Sequence, residues 1–130
     1  MKGIKPVILA IAAALFLKLF VFDFIVAQGL SMEPAIHDGT VLVINRLRYG
    51  IKLPFRQKYL IRWAQPKEGD VLIFYTPNGE LAVKRCTMVM PDHLGRIIFF
   101  AEGDNSLASY DSRSYGPVFA DNIKGKVLGY

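Results

Sequence analysis

The stretch DVLIFYTPNGELAVKRCTMV, residues 70–89, contains two runs of β-branched and apolar residues separated by a turn signal. The dipeptide Asn78-Gly79 lies between the runs and is typical of the tight turns of β-hairpins. The stretch therefore predicts an antiparallel hairpin. It decides the fold class, because no segment beyond the N-terminal 25 residues shows a convincing helical period of apolar residues.

Shorter strand patterns lie on both sides of this hairpin, at residues 40–45, 96–101 and 126–128. Glycine, proline, aspartate and asparagine clusters separate them, as between the strands of small β domains. With 130 residues there is room for one such domain. The sequence predicts a mostly β fold, in which a small antiparallel β domain follows a single N-terminal transmembrane helix.

The transmembrane helix is predicted from the apolar N-terminal segment at residues 4–27, in which Lys18 and Asp23 are the only charges after Lys5. A helix over residues 4–22 would be about 28 Å long, close to the hydrocarbon thickness of about 30 Å. We therefore expect residues 1–25 to form an anchor and residues 26–130 to form the β domain. Lys2 and Lys5 precede the apolar run, which predicts a cytoplasmic N-terminus and an extracytoplasmic β domain.

The alternative for the same segment is a cleaved signal peptide, with Lys2 and Lys5 as its basic start. Cleavage after Ala27 would place Ile25 at position −3, where small residues are required. The retained anchor in the cytoplasmic membrane is the preferred interpretation.

The sequence contains few cysteine and histidine residues that could bind a metal. Cys86 is the only cysteine, which excludes an intrachain disulfide and a thiolate cluster. His37 and His93 are isolated and lack the spacing of metal ligands. We expect no metal and no cofactor.

The net charge of +5 is concentrated in residues 46–67, which contain seven basic and no acidic residues, interleaved with aromatic ones. This mixture suits nucleic acid or an anionic lipid surface. An exported, tethered domain rarely meets nucleic acid, so we predict the lipid bilayer as a partner and no nucleic acid. A solvated loop remains an open alternative.

A serine, Ser31, ends the hydrophobic N-terminal region in the segment GLSMEPAI. A serine hydroxyl needs a base to act as a nucleophile, and neither histidine is well placed by the pattern. Lys84 lies among apolar residues in LAVKRCTMV, and on a strand it would point away from Arg85. A buried lysine can lose its proton and act as a base, although most strand lysines are exposed.

Four segments strengthen this interpretation: GLSMEPAI at 29–36, GDVLIFYTP at 69–77, AVKR at 82–85 and GDNSLASYDSRSYGPV at 103–118. In this order behind an N-terminal anchor, they resemble the sequence boxes of bacterial type I signal peptidases. YGIKLPF at 49–55 is similar to a loop of the same family. These enzymes are membrane-bound Ser/Lys endopeptidases that remove signal peptides, and the resemblance covers nearly the whole chain.

By position, the resemblance implies that Ser31 is the nucleophile and Lys84 the general base of an acyl-enzyme mechanism. Ser109 would hydrogen-bond to the lysine and orient it, and Asp111 and Arg113 would form an ion pair that braces that turn. The substrates would be exported preproteins with small residues at positions −1 and −3, and the chain would be a serine endopeptidase of protein secretion.

The resemblance also assigns residues around the nucleophile. Met32 would line the substrate cleft, and Pro34 would fix the backbone after the serine. The backbone N–H of Ser31 would be one oxyanion donor. Some members have a serine hydroxyl as second donor where this chain has Gly29, so the second donor is left open.

The chain also departs from the usual pattern of this family in two further respects. Ala35-Ile36 replaces the usual Thr-Leu, and only 25 positions separate Lys84 from Ser109, which leaves no room for a large inserted domain.

Three alternative functions stay open at this point. They are a self-cleaving protease of the SOS-repressor type, a specialised pilin or conjugation processing peptidase, and a non-catalytic tethered β module.

Overall fold

The computed structural model describes residues 3–52 and 58–130. Its helical elements are helix α1 (Ile4–Phe16), a π-helical turn (Leu17–Val21), helix α2 (Ser112–Tyr115) and two 3₁₀ turns (Ser106–Ala108 and Ala120–Asn122). Its strands are β1 (Phe22–Val26), β2 (Val41–Asn45), β3 (Gly50–Ile51), β4 (Ile61–Arg62), β5 (Val71–Tyr75), β6 (Leu81–Pro91), β7 (Ile97–Glu102), β8 (Val118–Phe119) and β9 (Ile123–Gly129).

The main sheet has the order β1-β2-β9-β5-β6-β7-β8, with antiparallel neighbours throughout, and β3 pairs with β4 separately. The predicted hairpin is confirmed. Leu72 in β5 pairs with Lys84 in β6, and the Gly79 N–H donates to the Thr76 carbonyl in the turn. The predicted mostly β, antiparallel class is therefore confirmed as well.

The sheet carries apolar side chains on both faces, because neighbouring residues of a strand point in opposite directions. Leu72 packs in a cluster with Phe74 and Phe99, whose rings meet edge to face with centroids 5.1 Å apart. Val71 packs in a second cluster with Met32. This second cluster fixes the loop that carries Ser31.

Strand β1 is the main element that the sequence did not predict. It starts at Phe22, inside the predicted anchor, and pairs along its length with β2. Exposure alternates along it, with Phe24 exposed and Ile25 partly buried. The apolar residues of this strand continue the preceding hydrophobic run, so the pattern did not mark where the helix ends. The two-residue strands β3, β4 and β8 were also not predicted, and β9 begins earlier than expected.

Helix α1 is 13 residues long and none of its residues is buried. Within residues 3–52 and 58–130, the structure contains no helix with both the length and the apolar character needed to cross a bilayer. The transmembrane anchor and the division at residue 25 therefore remain predictions.

The basic and aromatic segment 46–67 is partly internal. The Tyr49 ring is buried in the core and the Tyr59 hydroxyl donates to the Ile123 carbonyl, whereas Trp63 is exposed. Tyr49 therefore contributes to the core and not to a lipid-facing surface. Residues 53–57 of this segment, which include part of YGIKLPF, lie outside the described residues.

Candidate active site

Ser31 lies in the loop that connects β1 to β2. Gly29 has a φ of +87°, a conformation that glycine adopts without strain, and its N–H donates to Asp38 Oδ1 at 2.9 Å. The Ile36 N–H donates to the Met32 carbonyl, and both side chains are buried. The two hydrogen bonds close the loop on itself, and the buried side chains of Met32 and Ile36 pack it against the sheet.

The backbone of Ser31 is held from one side only. Its carbonyl accepts from the Asn105 N–H at 2.8 Å, and the Asn105 side chain donates to the Leu30 carbonyl at 3.0 Å. Within the described part of the chain, the Ser31 N–H donates to no acceptor. It is therefore free to donate to an oxyanion.

Lys84 lies in β6 and is 7% exposed. Burial lowers the pKa of its amine, the Asp111 carboxylate opposes this effect, and the Arg113 guanidinium adds to it. No residue in ranges 3–52 and 58–130 forms a hydrogen bond or ion pair with its ammonium group. A buried amine with a lowered pKa and no fixed acceptor can exist in the neutral form that a general base requires.

Ser31 and Lys84 line the same cavity, which has a volume of about 390 Å³. Residues 25–29, residues 81–84 and Tyr110 are among the residues that line it. Met32 also lines the cavity, and its role in a substrate cleft stays a prediction. Pro34 does not line the cavity, and a cis peptide bond precedes it.

The third predicted group lies next to this cavity. Asp111 is fully buried and accepts hydrogen bonds from the Gly103 N–H at 2.8 Å, from the Ser109 hydroxyl, and from Arg113 Nε at 3.0 Å. Burial alone would raise the pKa of Asp111, but these hydrogen bonds outweigh burial and lower it. The ion pair between Asp111 and Arg113 is present, and Arg113 also contacts Glu102 at 3.2 Å.

Ser109 donates to Asp111, whereas the resemblance implies a bond to Lys84. The hydroxyl oxygen still has lone pairs that can accept from an ammonium, so that role remains a prediction. Gly103 shows how near Ser109 lies to the nucleophile loop. A Cβ built on Gly103 would be 2.2 Å from Ser109 Oγ and 2.6 Å from the Ser31 carbonyl oxygen.

Sequence reasoning missed a link between the base strand and the nucleophile loop. Arg85, on the opposite side of β6 from Lys84, makes two hydrogen bonds of 2.9 Å to Asp104. The next residue, Asn105, holds the Ser31 carbonyl. The sequence pattern assigns Gly103-Asp104-Asn105 to a turn and to the start of the segment 103–118, but not to a contact with Arg85 or Ser31. The sequence does contain a signal for this link, because Arg85 and Asp104 carry opposite charges and each is next to a residue of the candidate site, Lys84 and Asn105.

Comparison with known proteins identifies a family for this chain. The sequence model of a family described as signal peptidase, peptidase S26, matches residues 1–97. This range contains Ser31 and Lys84 and ends before Ser109, Asp111 and Arg113.

Individual relatives give the same result. Signal peptidase I of Bacillus caldolyticus is 29% identical over 157 aligned residues, which cover 94% of this chain and 86% of the relative. Signal peptidase I of Haemophilus influenzae is 35% identical over 72 residues, covering 55% of this chain and 20% of the relative. Subunit 1 of the mitochondrial inner membrane protease of Xenopus tropicalis is 29% identical, and the alignment covers 83% of this chain and 68% of the relative.

The family match covers well over half of the chain, and it includes the loop of Ser31 and the strand of Lys84. The chain therefore belongs to the signal peptidase family, peptidase S26, and with it to the serine endopeptidases.

Proposed function

We propose that this protein removes N-terminal signal peptides from exported preproteins, with Ser31 as nucleophile and Lys84 as general base. The observation that carries the proposal is that both residues line one cavity, in which Lys84 is buried and has a lowered pKa. The similarity to signal peptidases I of two bacteria supports the substrate class.

The proposed reaction has two halves. Neutral Lys84 takes the Ser31 proton while Oγ attacks the scissile carbonyl, and the resulting ammonium protonates the departing amine of the mature protein. The lysine, neutral again, then takes a proton from water, and the hydroxide attacks the acyl-enzyme ester. Ser31 leaves as an alkoxide and recovers the proton from the lysine, which restores the starting state.

The oxyanion formed in each half needs preorganised donors. The Ser31 N–H is the first candidate, because it has no acceptor among the described residues. The Gly29 N–H is already engaged by Asp38 at 2.9 Å, and Gly29 has no side chain to contribute. The second donor is therefore proposed to be another backbone group or a water molecule.

Two strand edges support binding of an extended substrate. Strand β1 is at the edge of the sheet, and residues 81–84 of β6 pair only with β5, because pairing with β7 begins at Arg85. A peptide placed between these edges could pair with one or both by strand addition. Ile25, Met32 and Val83 line the same space and suit small residues at positions −1 and −3.

Membrane attachment is proposed for the N-terminal segment, as a single-pass anchor with its N-terminus in the cytoplasm. Every residue of α1 is at least partly exposed, including Ile8 and Leu9. Phe24 in β1 and Val41 in β2 are also apolar and exposed. Exposed apolar side chains of this kind suit a lipid partner, and Phe24 is next in sequence to residues 25–29, which line the cavity.

A cleavage assay tests the catalytic proposal. The full chain in detergent or lipid is incubated with a preprotein that has alanine at −1 and −3, and the product is identified by mass spectrometry. Wild type should cut after the −1 residue, whereas Ser31→Ala and Lys84→Ala should not cut, although circular dichroism shows them folded. Equal cleavage by all three proteins, or no cleavage by wild type, contradicts the proposal.

A separate experiment tests the anchor. In bacterial cells the full chain should remain in the membrane pellet after alkaline carbonate washing, and protease added to spheroplasts should digest the β domain. Recovery in the soluble fraction would contradict attachment, and protection from the protease would contradict the proposed orientation.

A further inference from the structure

Glu80 is a carboxylate in the cavity lining that the proposed reaction leaves without a role. Among the described residues that line the cavity, Glu80 and Lys84 are the acidic and the basic side chain. Because Lys84 acts as a neutral amine in the proposed mechanism, Glu80 supplies the only full charge of the lining when the reaction begins.

The position of Glu80 is fixed by the hairpin turn. The Thr76 N–H donates to the Glu80 carbonyl at 2.8 Å, and the Glu80 N–H donates to Thr76 Oγ1 at 3.2 Å. Thr76 itself is buried, which fixes this end of the cavity wall to the sheet. The backbone of Glu80 is therefore rigidly placed although its side chain is exposed.

Among the described residues, the Glu80 carboxylate has no partner that would compete with a substrate. No hydrogen bond or ion pair joins it to a residue in ranges 3–52 or 58–130. Most acidic residues near the site differ in this respect, since Asp104 is paired with Arg85 and Asp111 with Arg113. The negative charge of Glu80 is available to a bound substrate.

Glu80 directly precedes β6 and is four residues from Lys84 along the chain. An extended chain rises about 3.3 Å per residue, so the two positions are about 13 Å apart along the strand. A substrate paired with residues 81–84 has the same rise. Its side chain nearest to Glu80 therefore lies about four residues from the scissile bond.

We propose that Glu80 is a specificity-determining residue, which favours substrates with Lys or Arg about four residues from the scissile bond and disfavours Asp or Glu there. This inference rests on the proposed function. An ion pair at the mouth of a cavity is weak and screened by salt, so the expected preference for Lys over Glu is about fivefold.

The test uses the full chain in detergent micelles and peptides with alanine at −1 and −3. Gln, Lys or Glu is placed singly at each position from −6 to −4 and from +3 to +5, and kcat/KM is measured for each peptide. In wild type, one position should show the preference for Lys. Glu80→Gln should bring the Lys to Glu ratio at that position to about one, and Glu80→Lys should invert it.

The ratio is taken within each variant, so an overall loss of activity does not affect it. The matched control is Glu68→Gln, which removes an exposed carboxylate that does not line the cavity and should keep the wild-type ratio. A wild-type ratio near one at all six positions, or an unchanged ratio in Glu80→Gln, overturns the role of Glu80 alone. Failure of wild type to cut the Gln peptides overturns the proposed function, and the specificity role with it.

Discussion

Lys84 and Lys52 are two lysines whose pKa values are lowered by burial in different parts of the molecule. Burial lowers the pKa of Lys52 to about 8, Asp121 opposes the effect, and Arg46 adds to it. The Lys52 ammonium donates to the carbonyls of Asp121 and Ile123 at 2.7 and 2.9 Å. Lys84 has no such acceptor within the described residues and lines the cavity that contains Ser31.

The comparison shows that a lowered pKa does not by itself identify a base. Two carbonyl acceptors favour the charged form of Lys52 and hold it 4.8 Å from the centre of the Tyr59 ring, so this amine joins segments of the fold. Lys84 differs in two respects: it lines the same cavity as the Ser31 hydroxyl, and it has no acceptor among the residues that the structure describes. Substitution of each lysine in turn tests this distinction.

The largest expected effect is on cleavage. Lys84→Met retains the stem but removes the amine, and should lower kcat/KM for a preprotein by about 10²–10⁴-fold, the usual contribution of a general base. Lys52→Met is the matched variant and should leave kcat/KM close to wild type while lowering stability. Comparable losses of kcat/KM in the two variants, with both folded, would remove the distinction between the lysines.

A second prediction concerns the contact between Ser109 and the nucleophile loop. In Gly103→Ala the new methyl group would be 2.2 Å from Ser109 Oγ and 2.6 Å from the Ser31 carbonyl oxygen, so one of them must move. A displacement of this size should lower kcat/KM by about a hundredfold. Gly129→Ala, where a Cβ meets nothing within 4 Å, is the control and should retain activity. Full activity of Gly103→Ala would show that this contact does not position the site.

The charges around Lys84 predict opposite shifts of the pH profile. The Asp111 carboxylate raises the pKa of Lys84 and the Arg113 guanidinium lowers it. The acidic limb of kcat/KM, where Lys84 becomes protonated, should therefore move to lower pH in Asp111→Asn and to higher pH in Arg113→Gln.

Both variants break the same ion pair, so structural damage alone would not give shifts of opposite sign. Glu102→Gln is the control, because Glu102 also contacts Arg113 but is not among the groups that shift the pKa of Lys84. Shifts in one direction for both variants would contradict the assignment of the limb to Lys84.

The hairpin and the candidate site differ in how far the sequence predicts them. Asn78-Gly79 between two apolar runs is a local signal, and local signals determine hairpin turns. The exposure of Lys84 depends on which segments cover β6, and the sequence pattern alone favoured an exposed lysine. The contact of Gly103 with Ser31 joins segments far apart in sequence, and no local rule predicts it.

Strand β1 and helix α1 show a second limit. Residues on both sides of Phe22 are apolar, and the same composition suits a helix in lipid or a strand with one exposed face. The pairing of Phe24 with Val43 selects the strand, and this partner lies in β2. The resemblance to a family supplied what composition could not, namely which serine and which lysine to consider together.

The smallest expected effect is on stability. Lys52 has a pKa of about 8 in the folded chain and about 10.4 when unfolded, so between these values the unfolded state binds more protons. The free energy of unfolding should therefore rise with pH from 8 to 9.5, with a contribution from Lys52 of no more than about 1.4 kcal/mol per pH unit. Urea denaturation of wild type and Lys52→Met across this range measures the difference. In Lys52→Met, the free energy of unfolding should rise less steeply with pH, because the Lys52 amine no longer contributes. Lys84→Met should keep the contribution of Lys52 and lose that of Lys84. If Lys52→Met keeps the wild-type slope, the Lys52 amine is not the group that titrates in this range.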